Sequence, residues 1–185
     1  SPTSPKGLKS NTTPYGATLE PMNPLTVTLG VQGASFVAQG VDWVPEVLYD
    51  ILQAAFRHRG FSFVRIIQRC PEFMPKAFDP WLHDPQRTML LTHADGLKLS
   101  PGLSSTYRNQ REHDPINIDR AREIASQDDP IPVGILYRNP DAPCYEDLRH
   151  AAQLRSPAYI RAGLEREFDK VTFWPEEDTS TPQAA

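Results

Sequence analysis

The chain has 185 residues, 39% of them hydrophobic and 23% charged, enough for one sizeable core with a single domain as the default. A formal charge of -4 argues against a surface built to wrap nucleic acid, and no apolar run approaches the roughly 20 residues of a bilayer span. Nothing at the start has the pattern of a secretory signal, so a cytoplasmic setting is expected.

Residues 1–22 carry Pro2, Pro5, Pro14 and Pro21 among Ser, Thr, Lys and Gly, which predicts an extended, loop-like course that needs neighbours to be ordered. At Asn23-Pro24 a helix is expected to open, with Asn23 as its cap and Pro24 in its first position, running through Leu25 to Val31 and ending by Gly33. "ASFVAQGVD" reads as a short strand centred on Phe36 to Ala38. Val44, Val47, Leu48, Ile51, Leu52 and Ala55 then recur at the spacing of a helix with one apolar face. Pro45 and Glu46 suit its first turn, and Arg57, His58 and Arg59 its last, before Gly60. "FSFVRII" follows at once as a strand. Strand, helix and strand joined by short links predict a βαβ unit, hence a parallel pair with a right-handed crossover.

Residues 71–115 are rich in proline and show no sustained period, so the segment is expected to be a long irregular excursion. Beyond it, 118–128 reads as a short polar helix, 131–137 ("IPVGILY") as an apolar strand, and "PCYEDLRHAAQL" as a further helix. The predicted organisation is an α/β domain over 1–167, mainly parallel sheet flanked by helices, and a tail over 168–185 whose last ten residues are expected to be disordered.

Cys70 and Cys144 lie far apart with no CxxC-type partner, so spacing supports neither a zinc site nor a disulfide framework. Cys70 stands just past a strand end and is followed by Pro71. A buried cysteine is first of all a small packing residue. Two features leave a ligand or redox role open. Ligands of open α/β domains bind outside the carboxyl ends of strands, and Cys-Pro is how the last ligand of some iron–sulfur runs is written.

The stretches "SPTSPKG", "TTPYG", "EPMNP", "ASFVAQGVD", "AAFRHRGFSFV", "QRCPEF", "IPVGILYRNPDAPCYE" and "RSPAYI" occur in the order and spacing of the beta subunit of 2-oxoacid:ferredoxin oxidoreductases, which the chain resembles over nearly its whole length. "SPTSPKG" followed by "TTPYG" is most similar to the 2-oxoglutarate branch. The resemblance implies a thiamine-diphosphate-binding fold and an enzyme completed by an alpha subunit, as a dimer of heterodimers. It implies oxidative decarboxylation of a 2-oxoacid, with coenzyme A taking the acyl group and ferredoxin the electrons, and thiamine diphosphate, Mg2+ and a [4Fe-4S] cluster as cofactors.

Carried over residue by residue, Cys70 in "QRCPEF" matches the fourth cluster ligand. Ser1 and Thr3 match the Ser-Pro-Thr that follows the cofactor-binding turn and are expected near the thiamine diphosphate, an ordinary turn-rich loop being the alternative. Cys144 is read as structural, and no residue is assigned a catalytic role. The family's Gly-Asp-Gly-Asp stretch, the asparagine that helps hold magnesium, and three further cluster cysteines are missing from these 185 residues. The piece is therefore expected to be inactive by itself.

Other candidates have plainer readings. His58 fits a helix C-terminus, where it caps or complements the dipole. His83, His93 and His113 lack the i, i+4 or short-loop spacing of a metal site drawn from one segment. The Arg and Lys residues of 57–76 read either as a solvated face or as a docking patch for ferredoxin or coenzyme A phosphates. The rival to an enzyme subunit is a non-enzymatic α/β domain that binds a partner through the 71–115 excursion.

Overall fold

The computed structural model describes residues 3–72, 74–94, 96–151 and 156–173, which form two compact units, one up to Cys144 and one from Tyr145 onward. The expected disorder of the last ten residues, and Ser1, lie outside the described residues.

In the first unit the elements are α1 (Pro24–Leu29), β1 (Phe36–Val41), α2 (Pro45–Arg57), β2 (Ser62–Ile67), α3 (Asp79–His83), β3 (Thr88–Thr92), α4 (Pro101–Thr106), β4 (Gln110–Glu112), α5 (Ile118–Ala125) and β5 (Ile131–Arg138). Several boundaries follow from capping chemistry. Asn23 Oδ1 accepts from the backbone N–H of Leu25 at 3.0 Å and of Thr26 at 3.4 Å, satisfying donors that the first turn of α1 leaves open. Its amide also donates to the Ala125 carbonyl at 2.7 Å, tying the start of α1 to the end of α5. α2 has Pro45 in its first turn and ends at His58, whose extended backbone halts the helix.

Among the described residues the sheet has five strands in the order β2-β1-β5-β3-β4. β1 pairs with β2 in parallel, Phe36 opposite Ser62 through Val41 opposite Ile67, as the short links around α2 require. β3 is parallel to both β4 and β5, while β5 meets β1 antiparallel. The sheet is therefore mixed, and the carboxyl ends of its strands divide between two opposite edges. β1 and β2 finish at one, β3, β4 and β5 at the other. Gly134 sits in β5 at φ +138°, where a Cβ would come within 2.9 Å of the Leu91 side chain, so close pairing of β3 and β5 needs glycine there.

Helices cover both faces. Ile51 and Val47 of α2 pack with Phe36, Ala38 and Ile135 on one side, while Leu25 and Leu29 of α1 and Ile124 of α5 pack with Val37 and Leu136 on the other. Strands buried on both faces show unbroken apolar runs. β1 is buried at every position, including Gln39, whose amide donates to the Pro132 carbonyl at 2.7 Å. Leu52, assigned to the apolar face of α2 by periodicity, is 44% exposed, because it falls at the margin of the stripe centred on Val44 and Ile51.

The irregular excursion predicted for 71–115 is corrected by the structure. That segment contains α3, α4, the edge strand β4 and, between β5 and β4, the strand β3, with Met89, Leu90 and Leu91 buried. A five-residue strand covered on both faces has no alternation to reveal it. The portion before β3 is held by aromatic packing, with Phe78 between Trp43 and Trp81 at 5.7 and 5.9 Å, and by Arg87, which lies 4.7 Å over the Trp81 ring and pairs with Asp129 at 2.6 Å. β3 belongs to the sheet and is not available as a docking loop.

The second unit contains α6 (Tyr145–Ala151) and α7 (Pro157–Asp169), the latter opened by Ser156, whose hydroxyl accepts from the Tyr159 N–H at 3.2 Å. No described residue of α7 is buried, and Ile160, Leu164 and Phe168 form an exposed apolar stripe on it.

Candidate functional site

At the edge where β1 and β2 finish, the chain after β2 is fixed by charge and by a turn. Asp42, just past β1, accepts from the Arg69 backbone N–H at 3.3 Å and from its Nε at 3.2 Å. The next residue, Cys70, accepts at its carbonyl from the Met74 N–H at 3.0 Å, closing a turn in which Pro71 restrains the exit. Cys70 is half-buried at the wall of a cleft of about 1140 Å³.

The N-terminal loop also lines this cleft. Gly7 N–H donates to the Ala17 carbonyl at 2.7 Å, Ala17 N–H to the Leu8 carbonyl at 3.0 Å, and Ser10 and Thr13 exchange backbone hydrogen bonds at the tip. Gly16 closes the loop at φ +88°, where a Cβ would come within 3.0 Å of the Gly7 carbonyl oxygen. Lys6 and Glu20 bridge its base at 2.7 Å. Thr3, Ser4, Ser10, Thr12 and Thr13 line the cleft from this segment, and Arg65, Ile66, Gln68, Met74 and Phe78 line it together with Cys70. Two residues singled out in the sequence, Thr3 and Cys70, thus share one cleft although 67 positions separate them.

Cys144 lies beyond the end of β5, at the opposite edge of the sheet, and neither cysteine forms a disulfide. A four-thiolate cluster needs three ligands besides Cys70. Among the described residues no group of three or more His, Cys, Asp and Glu side chains is arranged to hold a metal ion. Glu20 is the single carboxylate among the described residues that line the cleft, which does not make a magnesium site. These residues alone therefore do not fit a complete cluster or a magnesium diphosphate site. They offer one cysteine sulfur and a set of hydroxyl groups.

The histidines separate. His83 is exposed, its Nδ1–H donating to the Asp79 carbonyl at 2.7 Å. His93 and His113 come together, since they follow the last register pair of β3 and β4, Thr92 opposite Glu112, and line one small cavity at the other edge of the sheet. His113 is buried, with its Nε2–H donating to the Leu136 carbonyl at 2.6 Å. Pairing across a parallel sheet carries no local sequence signal, so spacing could not reveal it. The cations of 57–76 do not form one patch. Arg57 and Arg59 line a cleft with Lys98 and Arg138 at that same far edge, whereas Arg65 faces the Cys70 cleft.

His58 stands at the end of α2. The Ser35 hydroxyl donates to the Phe61 carbonyl at 3.0 Å, so the His58 Nε2–H donates to Ser35 Oγ, also at 3.0 Å, and the ring packs on Phe36. Burial, then the charge of Arg138, holds the imidazole below its ordinary pKa. The His58 backbone N–H caps the helix by donating to the Ala54 carbonyl, while the lowered pKa works against a role as a cation on the helix dipole. An unfolded chain takes up this proton near pH 6.5, whereas the folded one resists until lower pH, so the stability this site contributes is full above 6.5 and declines below it. In urea unfolding at pH 7.5 and 5.5, His58→Gln is expected to lose less stability between the two values than the natural chain. Equal losses would remove His58 from the account.

Comparison with known proteins follows the same line. Residues 104–153 match the family model for the C-terminal part of the beta subunit of pyruvate ferredoxin oxidoreductase. The chain is 40% identical over 162 residues to the 2-oxoglutarate oxidoreductase subunit KorB of Mycobacterium tuberculosis, covering 88% of this chain and 38% of that protein. It is 28% identical over 163 residues to a 2-oxoacid:ferredoxin oxidoreductase subunit beta from a Sulfolobus species, covering 86% of this chain and 48% of the other. Among solved structures, it superposes with a TM-score of 0.59 and 26% identity on the 2-oxoglutarate:ferredoxin oxidoreductase from Magnetococcus marinus, determined with 2-oxoglutarate, coenzyme A and succinyl-CoA bound, over 89% of this chain and 51% of that one. The chain thus spans about half or less of the length of these relatives.

Proposed function

We propose that this chain, similar as it is to the beta subunits of 2-oxoacid:ferredoxin oxidoreductases, forms one side of the reaction cleft of such an enzyme, working with an alpha subunit as a dimer of heterodimers. The observation that carries this reading is the meeting of Thr3 and Cys70 in one cleft, since the sequence alone matches both to cofactor-facing positions. The reaction converts a 2-oxoacid and coenzyme A to an acyl-CoA, carbon dioxide and a proton, with two electrons passing to ferredoxin. 2-Oxoglutarate is the substrate favoured by the 40% identical relative and by what the Magnetococcus marinus enzyme holds.

Thiamine diphosphate, with Mg2+, supplies when bound the electron sink that makes decarboxylation possible. The chain's own contributions are narrower. The Asp42–Arg69 pair and the Cys70–Met74 turn hold the backbone at Cys70 in place beside the cleft. The loop 7–17, clamped by its own backbone bonds, presents hydroxyl groups to the same cleft. Cys70 is the one cluster ligand drawn from these residues, the others coming from protein outside them. Among the described residues no helix is long and apolar enough to cross a membrane.

The test is reconstitution with the alpha partner and anaerobic assay of 2-oxoglutarate- and coenzyme A-dependent reduction of ferredoxin or a viologen dye. Turnover that needs both substrates supports the reading. An assembled, iron-loaded complex that reduces neither acceptor with any 2-oxoacid rejects it and favours the non-enzymatic alternative.

A further inference from the structure

Arg65 is out of place for a charged residue. It lies within β2, half-buried, and among the described residues no hydrogen bond or ion pair reaches its guanidinium. Asp128 attracts it only at range, and burial works against its charge. Guanidinium groups taken out of water are ordinarily matched by a carboxylate or phosphate, commonly in a two-pronged contact. No carboxylate of the described residues makes that contact. Arg65 does, however, line the cleft, together with the apolar side chains of Ile67, Met74 and Phe78 and the hydroxyl-bearing Ser10 and Thr12.

A guanidinium that shares a cleft with apolar side chains suits a short aliphatic chain ending in an anionic group. We propose that Arg65 binds the distal carboxylate of a dicarboxylic 2-oxoacid, so that this cleft selects dicarboxylic over monocarboxylic substrates. The proposal rests on the enzymatic reading above and adds to it the residue that sets the substrate class. A bare aliphatic end would leave this half-buried charge without a partner, and a site built to pair a polar group rejects the analogue lacking it far more strongly than an apolar pocket rejects a missing methylene.

The assay compares kcat/KM for 2-oxoglutarate and for 2-oxopentanoate, a monocarboxylic acid with the same number of carbons, in the assembled enzyme carrying Arg65→Gln or Arg65→Lys. The ratio of the two constants is expected to fall roughly 10–100-fold in Arg65→Gln, the loss typical of a hydrogen bond to a charged group, mainly through the KM for 2-oxoglutarate. In Arg65→Lys, which keeps the charge but not the planar fork, the fall is expected to be smaller. If both substrates lose equally and the ratio holds, Arg65 pairs with another part of the protein and the inference is overturned. Failure of both variants to assemble overturns it too, since the residue then serves the interface with the alpha partner. If the natural enzyme turns over neither acid, it is the enzymatic reading that has failed, a result distinct from either.

Discussion

Cys70→Ser in the assembled enzyme is expected to lower steady-state reduction of ferredoxin at least roughly tenfold, while carbon dioxide release in a single turnover is retained. Losing even an outer-shell partner of a metal ligand typically costs 10–100-fold in metal affinity or activity, and here a proposed direct ligand is exchanged. A hydroxyl is a harder, weaker donor than a thiolate, so a cluster anchored at Cys70 should also change its spectrum and lose iron more readily. The surroundings argue against a merely mechanical effect. Serine is close in size, Cys70 is half-buried, and the turn at 70–74 is closed by backbone atoms that the substitution leaves alone. The paired readout is what discriminates. Unaltered ferredoxin reduction with an unaltered cluster spectrum would return Cys70 to the role of a small packing residue.

Ile51→Ala is expected to destabilise the chain by about 2–5 kcal/mol, read from the urea midpoint. Ile51 is fully buried on α2, between that helix and the sheet, where the neighbouring Leu48 already approaches Gly40 so closely that a Cβ there would stand 2.6 Å from its Cδ1. Packing of this kind cannot close over a missing side chain by a small shift, and a cavity remains. Leu52→Ala, one position on and 44% exposed, is the control and should cost clearly less, about 1 kcal/mol. Equal effects at the two positions would mean that α2 does not seat on the sheet by the Val47–Ile51 face.

By itself the sequence determined the elements whose signals are local. Asn23-Pro24 announced α1, the spacing of Val44, Val47, Leu48 and Ile51 announced α2, and the short links to either side made β1 and β2 a parallel pair. Short quoted stretches also pointed to the family. Each signal of this kind lies within one turn, one strand or one link, where capping geometry and side-chain periodicity act.

The tertiary structure decided the rest. β3 is short, and its apolar run of Met89 to Leu91 is too brief to tell a strand from a loop until β5 and β4 flank it. The antiparallel meeting of β5 with β1 split the carboxyl ends of the strands between two edges, which put Cys70 and Cys144 at opposite ends of the sheet and divided the cations of 57–76. The cleft itself depends on the N-terminal loop folding back toward the end of β2, and that no described residue pairs with the Arg65 guanidinium is visible only in the folded chain. These are matters of contact between segments distant in the chain. They depend on which surfaces the fold brings together, and no window of local sequence records that.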